Sequence, residues 1–339
     1  MRTANIILMG LGNVGRAFVR LIQDKKEVCK QSYGLDLRLS AAFKKDGGFF
    51  SDKSLDLADV LELKGNNFSR HPDWKPGLRL EDVLGRFKSG LLVECTPTDI
   101  KTGEPGLGHI TAALKRKWPV AAASKGALVV NFKGLKALAQ QNGAALKFSG
   151  ATAAALPTLD VGLYSLAGAE ITAIEGILTG TTNYILTRME EGFSFEDALK
   201  EAQSRGIAEP DPALDIEGWD TACKILLISN AVVGTEFSLR DISLEGISGV
   251  SPTDVQKSRK EGKALKLLGR LINERGRARA EVRLIPIGPS HPLFNVSGAN
   301  KAITFFTDTM GSITVSGGKS DPRATAAALL KDIINIYRN

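Results

Sequence analysis

An apolar strand, a glycine-rich turn and a helix follow one another at the N-terminus, two later strands bracket a helical stretch, and the second half is dense in strand patterns. These observations predict an α/β protein built from a Rossmann dinucleotide-binding domain and a second, α+β domain. The first domain is read over residues 1–150 and is rejoined by 320–339; the second spans 151–319.

The opening strand is ANIILM. It runs straight into GLGNVG, and RAFVRLIQDKK continues with apolar residues at helical spacing. Gly10 permits the tight turn, Gly12 lets backbone approach a pyrophosphate, and Gly15 lets the helix pack closely on the strand, with Asn13 and Val14 between them. Free N–H groups at the helix N-terminus would then meet the phosphates. LDLRLSAAF is the second strand. Its end, where a carboxylate would take the ribose hydroxyls of NAD, reads Phe43, Lys44, Lys45. Cations there favour the 2′-phosphate of NADP, while Asp46 keeps NAD open. GLLVECTPT and WPVAAASKG read as strands that stop at loops, and GHITAALKRK between them reads as a helix, an alternation that argues for a parallel sheet. Ligands of such sheets lie beyond the carboxyl ends of the strands, which is where Thr96, Pro97, Ser124 and Lys125 fall. On spacing alone, a plain surface lysine is the alternative reading of Lys125.

In the second half, Glu209 to Lys224 (EPDPALDIEGWDTACK) crowds five carboxylates ahead of a single lysine. Pro210 and Pro212 forbid a regular helix through the first acids. From Glu217 or Gly218 onward, WDTACKILLISNAVV reads as one helix, apolar on nearly every side and therefore buried. Asp220 and Lys224 are its only charges, and their i, i+4 spacing puts them on one face. Buried charges must pair, meet a ligand or line a polar cleft. The pattern suits gripping a cation and moving a proton, with a structural ion pair as the alternative. AEITAIEGIL, RARAEVRLIPIG, NKAITFFTD and SITVSG read as strands of a sheet. SPTDVQKSRKEGKALKLLGRLINERG reads as a mostly helical connection after Pro252, and ATAAALLKDIINIYR as a terminal helix that returns to the first domain.

The 339 residues, 43% hydrophobic, suffice for two domains with cores of their own. No signal-peptide pattern opens the chain, and no apolar run approaches bilayer length, so a cytoplasmic protein without a membrane partner is expected. Cys29, Cys95 and Cys223 lack metal-like spacing and read as reduced thiols; no metal is expected. His71, His109 and His291 are far apart and read as loop or capping residues. The net charge of +7 suits an anionic ligand such as a phosphorylated cofactor. Nucleic acid is disfavoured, because the lysines are spread and aromatics make up only 6%.

Several segments, in order, resemble homoserine dehydrogenase over essentially the whole catalytic core of that family. They are GLGNVG, TPTDIKTGEPGLGHITAALKRKWPVAAASKGAL, GILTGTTNYILTRM, GIAEPDPALDIEGWDTACKILLISN and HPLFNVSGANKAITFFTDTMGSITVSG. The resemblance implies NAD(P)-dependent interconversion of L-aspartate 4-semialdehyde and L-homoserine, in threonine and methionine biosynthesis, by a homodimer whose sheets meet across a two-fold axis. The second domain would then be catalytic and dimerising. Carried over residue by residue, Glu209 and Asp220 bind the substrate ammonium, Lys125 and Lys224 stand at the reacting oxygen, and Gly180 and Thr181 hold the carboxylate. Asp215 and Asp211 contribute field or structure, or else cap the following helix.

The chain departs from the family pattern at five places. Ile207 stands where a tyrosine is usual. SGATAAALP, Ser149 to Pro157, replaces a glycine-rich run, so that Cβ atoms at Ala153 to Ala155 crowd the nicotinamide side. Ser149 itself replaces a glutamate that helps bind a monovalent cation. Ser124 replaces an asparagine, and GGKSDP, Gly317 to Pro322, replaces a GPGAG-like turn. No ACT-type regulatory segment is read, so direct feedback by a bound amino acid is not expected. Two alternatives stay open: a dehydrogenase of a related amino-bearing hydroxy acid, and a catalytically silent NADP-binding protein.

Overall fold

A computed structural model of the protein describes residues 1–62, 67–274 and 276–338. The chain divides into two compact units, Met1–Ala155 with Asp321–Asn339, and Leu156–Ser320.

The first unit holds a seven-stranded sheet of β1 (Arg2–Met9), β2 (Leu35–Lys44), β3 (Gly47–Phe50), β4 (Trp74–Pro76), β5 (Leu91–Glu94), β6 (Val120–Ala122) and β7 (Leu146–Lys147). Its order is β4-β3-β2-β1-β5-β6-β7. β2, β1, β5, β6 and β7 pair in parallel, and β3 and β4 add an antiparallel meander at one edge. Chain direction across the sheet reverses between β1 and β5, the switch point at which open α/β sheets bind ligands. Both faces of the parallel strands are buried, so Ile6, Ile7, Leu8, Leu91, Leu92 and Val93 form near-continuous apolar runs without alternation.

Helix Asn13–Asp24 buries Phe18, Val19, Leu21 and Ile22 on one face. Each such side chain contributes about 2 kcal/mol on leaving water. The terminal helix, Pro322–Tyr337, packs Leu329 and Ile333 into the same core. A polar clamp adds to this packing. Ser149 donates its backbone N–H and its Oγ to the Asp332 carboxylate at 2.8 and 2.7 Å, and Lys331 Nζ donates to Ser149 Oγ at 2.9 Å. Ser149 and Asp332 are 6% and 1% exposed, so these bonds form away from water.

The second unit holds a six-stranded sheet of β8 (Ile171–Ile177), β9 (Ile242–Leu244), β10 (Ala264–Glu274), β11 (Arg277–Ile287), β12 (Ala302–Thr307) and β13 (Ser312–Ser316), ordered β13-β12-β8-β10-β11-β9. All neighbours are antiparallel except β11 and β9. Four of these strands match the sequence reading. The connection after Pro252 does not: only Pro252–Lys260 is helical, and 264–274 is β10, the longest pairing in the sheet. Two physical causes explain the difference. Leu265, Leu268 and Leu271 recur at helical spacing among good helix formers, and a strand buried on both faces shows no alternation to contradict that pattern. Gly262, at φ +69°, stops the helix, and Gly269 lets helix Trp219–Val232 lie close on the strand. A Cβ at Gly269 would stand 2.9 Å from Thr221 and 3.3 Å from Ile225.

Removing the Asp332 carboxylate would leave a buried N–H of Ser149 without its acceptor. Asp332→Ala is therefore expected to cost about 2–3 kcal/mol, read as a lower urea midpoint for loss of the first unit's structure.

Candidate active site

Within the first unit, β1 ends at Met9 and the chain turns at Gly10, whose φ of +94° is left-handed. The N–H groups of Gly10 and Leu11 both donate to the Phe43 carbonyl at 3.1 Å, tying the turn to the end of β2. A Cβ on Gly10 would lie 2.6 Å from the Cys95 carbonyl oxygen, and one on Gly15 would lie 1.9 Å from that of Gly10. Both positions therefore require glycine, Gly10 for its turn against Cys95 and Gly15 for the close approach of the helix to the Gly10 carbonyl rather than to the strand. Gly12 differs: nothing stands within 4 Å of a Cβ there, and the helix it precedes has no side-chain cap. Uncapped N–H groups at Asn13 and Val14 beside open space form a cradle suited to a pyrophosphate. Lys44 ends β2 and rests its Nζ 3.8 Å above the Phe68 ring centroid, which keeps the cation at this edge of the sheet.

Glu94 is fully buried at the carboxyl end of β5. A buried carboxylate must be compensated, and this one accepts from the Thr96 N–H at 2.7 Å, from the Thr96 hydroxyl, and from His109 Nδ1 at 2.8 Å. The pair fixes the Thr96–Pro97 turn at the switch point. His109 is thus neither a loop nor a capping residue as read from sequence; it sits in helix Gly106–Lys115, turned toward the sheet. Sequence reasoning missed Glu94 altogether. Its signal was an acid closing an otherwise apolar strand. Backbone N–H groups of Ala123 and Ser124 both donate to the Glu94 carbonyl, at 2.9 and 3.3 Å, and Lys125 N–H donates to Thr98 Oγ1 at 3.3 Å. Thr96, Pro97, Ser124 and Lys125 therefore belong to two hydrogen-bonded loops at the ends of β5 and β6. Ala154 takes φ +53°, a left-handed backbone that glycine adopts more readily, and Ala153 is buried.

The second unit gathers the charged residues. Lys224 and Asp220 lie one turn apart on helix Trp219–Val232, which is buried on most sides, and their Nζ and Oδ2 are 2.5 Å apart. Lys224 Nζ also donates to the Leu178 carbonyl at 2.8 Å, at the end of β8. Thr179 Oγ1 donates to Asp220 Oδ2 at 3.0 Å and lies 3.0 Å from Thr221 Oγ1. Thr179 is also the N-cap of helix Gly180–Glu190, and because its hydroxyl serves Asp220 it does not cap that helix. The first-turn N–H groups at Gly180 and Thr181 thus have no side-chain cap, beside the Asp220–Lys224 pair. Gly180 is required by contact: a Cβ would meet the Ala299 carbonyl oxygen at 2.8 Å. Thr181 Oγ1 donates to the Ile207 carbonyl at 3.1 Å and so ties down the bend that leads into the acidic loop.

Glu209 and Asp211 are exposed in that loop, where the prolines keep the backbone out of a helix. Gln203 Nε2 donates to the carbonyls of Glu209 and Pro210 at 3.3 and 3.2 Å. Asp211 Oδ1 accepts from Ala213 N–H at 3.2 Å within the loop, and Asp215 lies half-buried in the short helix Ala213–Ile216; helix Trp219–Val232, which the sequence reading has these acids cap, carries no side-chain cap. Among the described residues, no group of three or more His, Cys, Asp and Glu side chains is arranged to hold a metal ion.

Two family models match this chain: the homoserine dehydrogenase domain over residues 157–334 and the homoserine dehydrogenase NAD-binding domain over 10–149. A homoserine dehydrogenase of Methanocaldococcus jannaschii is 36% identical, covering 99% of both chains. An NAD(+)-dependent homoserine dehydrogenase of Pseudomonas canavaninivorans is 32% identical over 100% of this chain and 97% of its own. A crystal structure of homoserine dehydrogenase from Thiobacillus denitrificans superposes with a TM-score of 0.82 at 27% identity, over 100% of this chain and 74% of that one.

Glu94→Ala frees the Thr96 turn and removes the acceptor of His109. We expect dinucleotide affinity, measured by calorimetric titration, to fall about tenfold, the effect of losing one charge-assisted hydrogen bond's worth of positioning.

Proposed function

This chain belongs to the homoserine dehydrogenase family, and we propose that it interconverts L-homoserine and L-aspartate 4-semialdehyde with a nicotinamide dinucleotide, as a step of threonine and methionine biosynthesis. The observation that carries this reading is the arrangement around Asp220: a carboxylate, an ammonium and an uncapped helix N-terminus within a few ångströms of one another. An amino acid needs an anion for its ammonium and N–H donors for its carboxylate. In this reading Asp220, Glu209 and Asp215 draw the ammonium, and Gly180 and Thr181 hold the carboxylate.

The cofactor, when bound, takes the hydride from the substrate carbon or returns it. Gly10, Gly12, Asn13, Val14 and Gly15 fit its pyrophosphate, because the one position open to a ligand is also the one where the helix N–H groups are uncapped. Thr96, Pro97 and Ser124 line the loops beyond β5 and β6, where the nicotinamide would come. The proton that leaves the hydroxyl goes to a lysine. Lys224 is held by Asp220 and the Leu178 carbonyl; Lys125 begins helix Gly126–Asn142 beside Thr98. In the reducing direction a charged lysine donates as the carbonyl oxygen gains charge, and in the oxidising direction a neutral one accepts.

NADP is the preferred cofactor in this proposal, from Lys44 and Lys45 at the end of β2, although the Pseudomonas canavaninivorans relative is NAD(+)-dependent. A cytoplasmic homodimer is proposed as well. Cys29, Cys95 and Cys223 are not in disulfides, and among the described residues no helix is long and apolar enough to cross a membrane.

Incubation with homoserine and NADP⁺ or NAD⁺ is expected to give reduced nicotinamide, followed by absorbance. Reduction only with a different amino-bearing hydroxy acid would replace the substrate, and binding without turnover would remove the enzyme. Lys125→Met and Lys224→Met should each lower kcat by about 10²–10⁴ while cofactor affinity stays within about threefold. Lys44→Glu should shift preference toward NAD by about tenfold or more in kcat/KM; unchanged discrimination would count against NADP.

A further inference from the structure

Two lysines lie deep in the second unit: Lys266 on β10 is 1% exposed and Lys301, just before β12, is 2% exposed. A buried ammonium is costly, so its surroundings decide what it can do. Glu190 is the opposing charge for Lys266. Lys301 instead feels the pair described above. Burial pushes its amine down to about 7, the Lys224 charge pushes the same way, and Asp220 opposes both.

The backbone fixes where this amine goes. Ala302 pairs with Ile177, so Lys301 stands across from Leu178, the residue whose carbonyl takes the Lys224 ammonium. Lys301's own carbonyl accepts from Gly317 N–H at 3.0 Å. The Asn300 carbonyl accepts from Asn183 Nδ2 on the Gly180 helix at 3.1 Å, and Ala299 abuts Gly180 itself. Asp220 and Lys224, both on helix Trp219–Val232, are the charges that act on the Lys301 amine. Among the other packed elements, β8 carries Glu175, already held by Arg270 and His291 at 2.8 and 2.7 Å, and β13 carries no titratable residue. The Gly180 helix keeps its charges, Arg188 and Glu190, toward its C-terminal end. The result is a cluster of two amines and one carboxylate beside an uncapped helix N-terminus.

We propose that Lys301 is a positioning residue for this site: uncharged, it leaves Asp220 to Lys224 and the substrate ammonium, and charged, it competes for that carboxylate and repels the substrate. The inference rests on the homoserine reading above and adds a residue to it. The sign follows from the direction of the shift. Above about pH 7 Lys301 is neutral and the site is open; as pH falls below that value the amine charges and kcat/KM falls with it.

The test is the pH profile of kcat/KM for homoserine oxidation, from pH 5.5 to 9.5, in the wild-type chain and in Lys301→Met, Lys301→Arg and Lys266→Met. Wild type is expected to bend near pH 7, with about a tenfold loss per unit below the bend. In Lys301→Met the ratio between pH 8 and pH 6 should collapse toward one. Lys301→Arg, charged throughout, should be depressed by about tenfold or more at pH 8, also without the bend. Lys266→Met should keep the wild-type profile. An active wild-type chain with no bend between pH 6 and 8, a Lys301→Met variant that keeps it, or a Lys266→Met variant that loses it overturns the proposal. The wild-type profile decides even where a variant does not fold. Inactivity toward homoserine at every pH overturns the substrate reading as well, so the two failures are distinguishable.

Discussion

The ion pair between Asp220 and Lys224 is the constraint around which the second unit is arranged. Its helix is apolar on most sides and enters the core beside β10 and β11, yet its first turns carry two charges that cannot simply be desolvated. The surroundings supply what those charges need. Leu178 offers a carbonyl because β8 ends there, and Thr179 offers a hydroxyl because its side chain does not close the next helix. Satisfying the pair thus strips the Gly180 helix of its side-chain cap. One local requirement creates the other half of the site, an unoccupied set of N–H donors beside a balanced cation.

Much of this was legible in the residues themselves. The glycine turn at Gly10 to Gly15 announced its geometry because Gly10 and Gly15 answer backbone contacts and Gly12 leaves open space, all visible as a motif, and the Asp220–Lys224 spacing announced a shared face. What escaped detection has a common cause. Glu94, His109 and Lys301 act through neighbours on other elements that only the fold brings to them, and a single polar residue at the end of an apolar strand looks the same whether it is exposed or buried. β10 was hidden for a related reason: leucines at helical spacing and burial on both faces removed the alternation by which strands are recognised. Only the tight approach at Gly269 marks the place as a strand against a helix.

The departures from the family pattern also acquire physical content. Ser149, which the family resemblance sets against a glutamate, is one member of a buried network with Asp332 and Lys331, so its polarity is used to join the terminal helix to the chain just after β7. Ala154 keeps a left-handed backbone although it carries a Cβ, which places a small strain where the glycine-rich run has been altered. The cofactor end is pinned differently, by a carboxylate at the carboxyl end of β5. Glu94 holds Thr96 through two donors and is itself held by His109, so the switch-point loop is set by the strand it leaves.

The Ser149–Asp332 clamp joins residues 183 positions apart, across the whole of the second unit's sequence. During synthesis, the nucleotide-binding half therefore keeps one flank uncovered, its sheet already made, until residues 321–338 have followed the inserted half out of the ribosome. The inserted half, by contrast, is already complete as a continuous segment. The order of maturation then runs opposite to the order of translation, with the later-made half free to settle first.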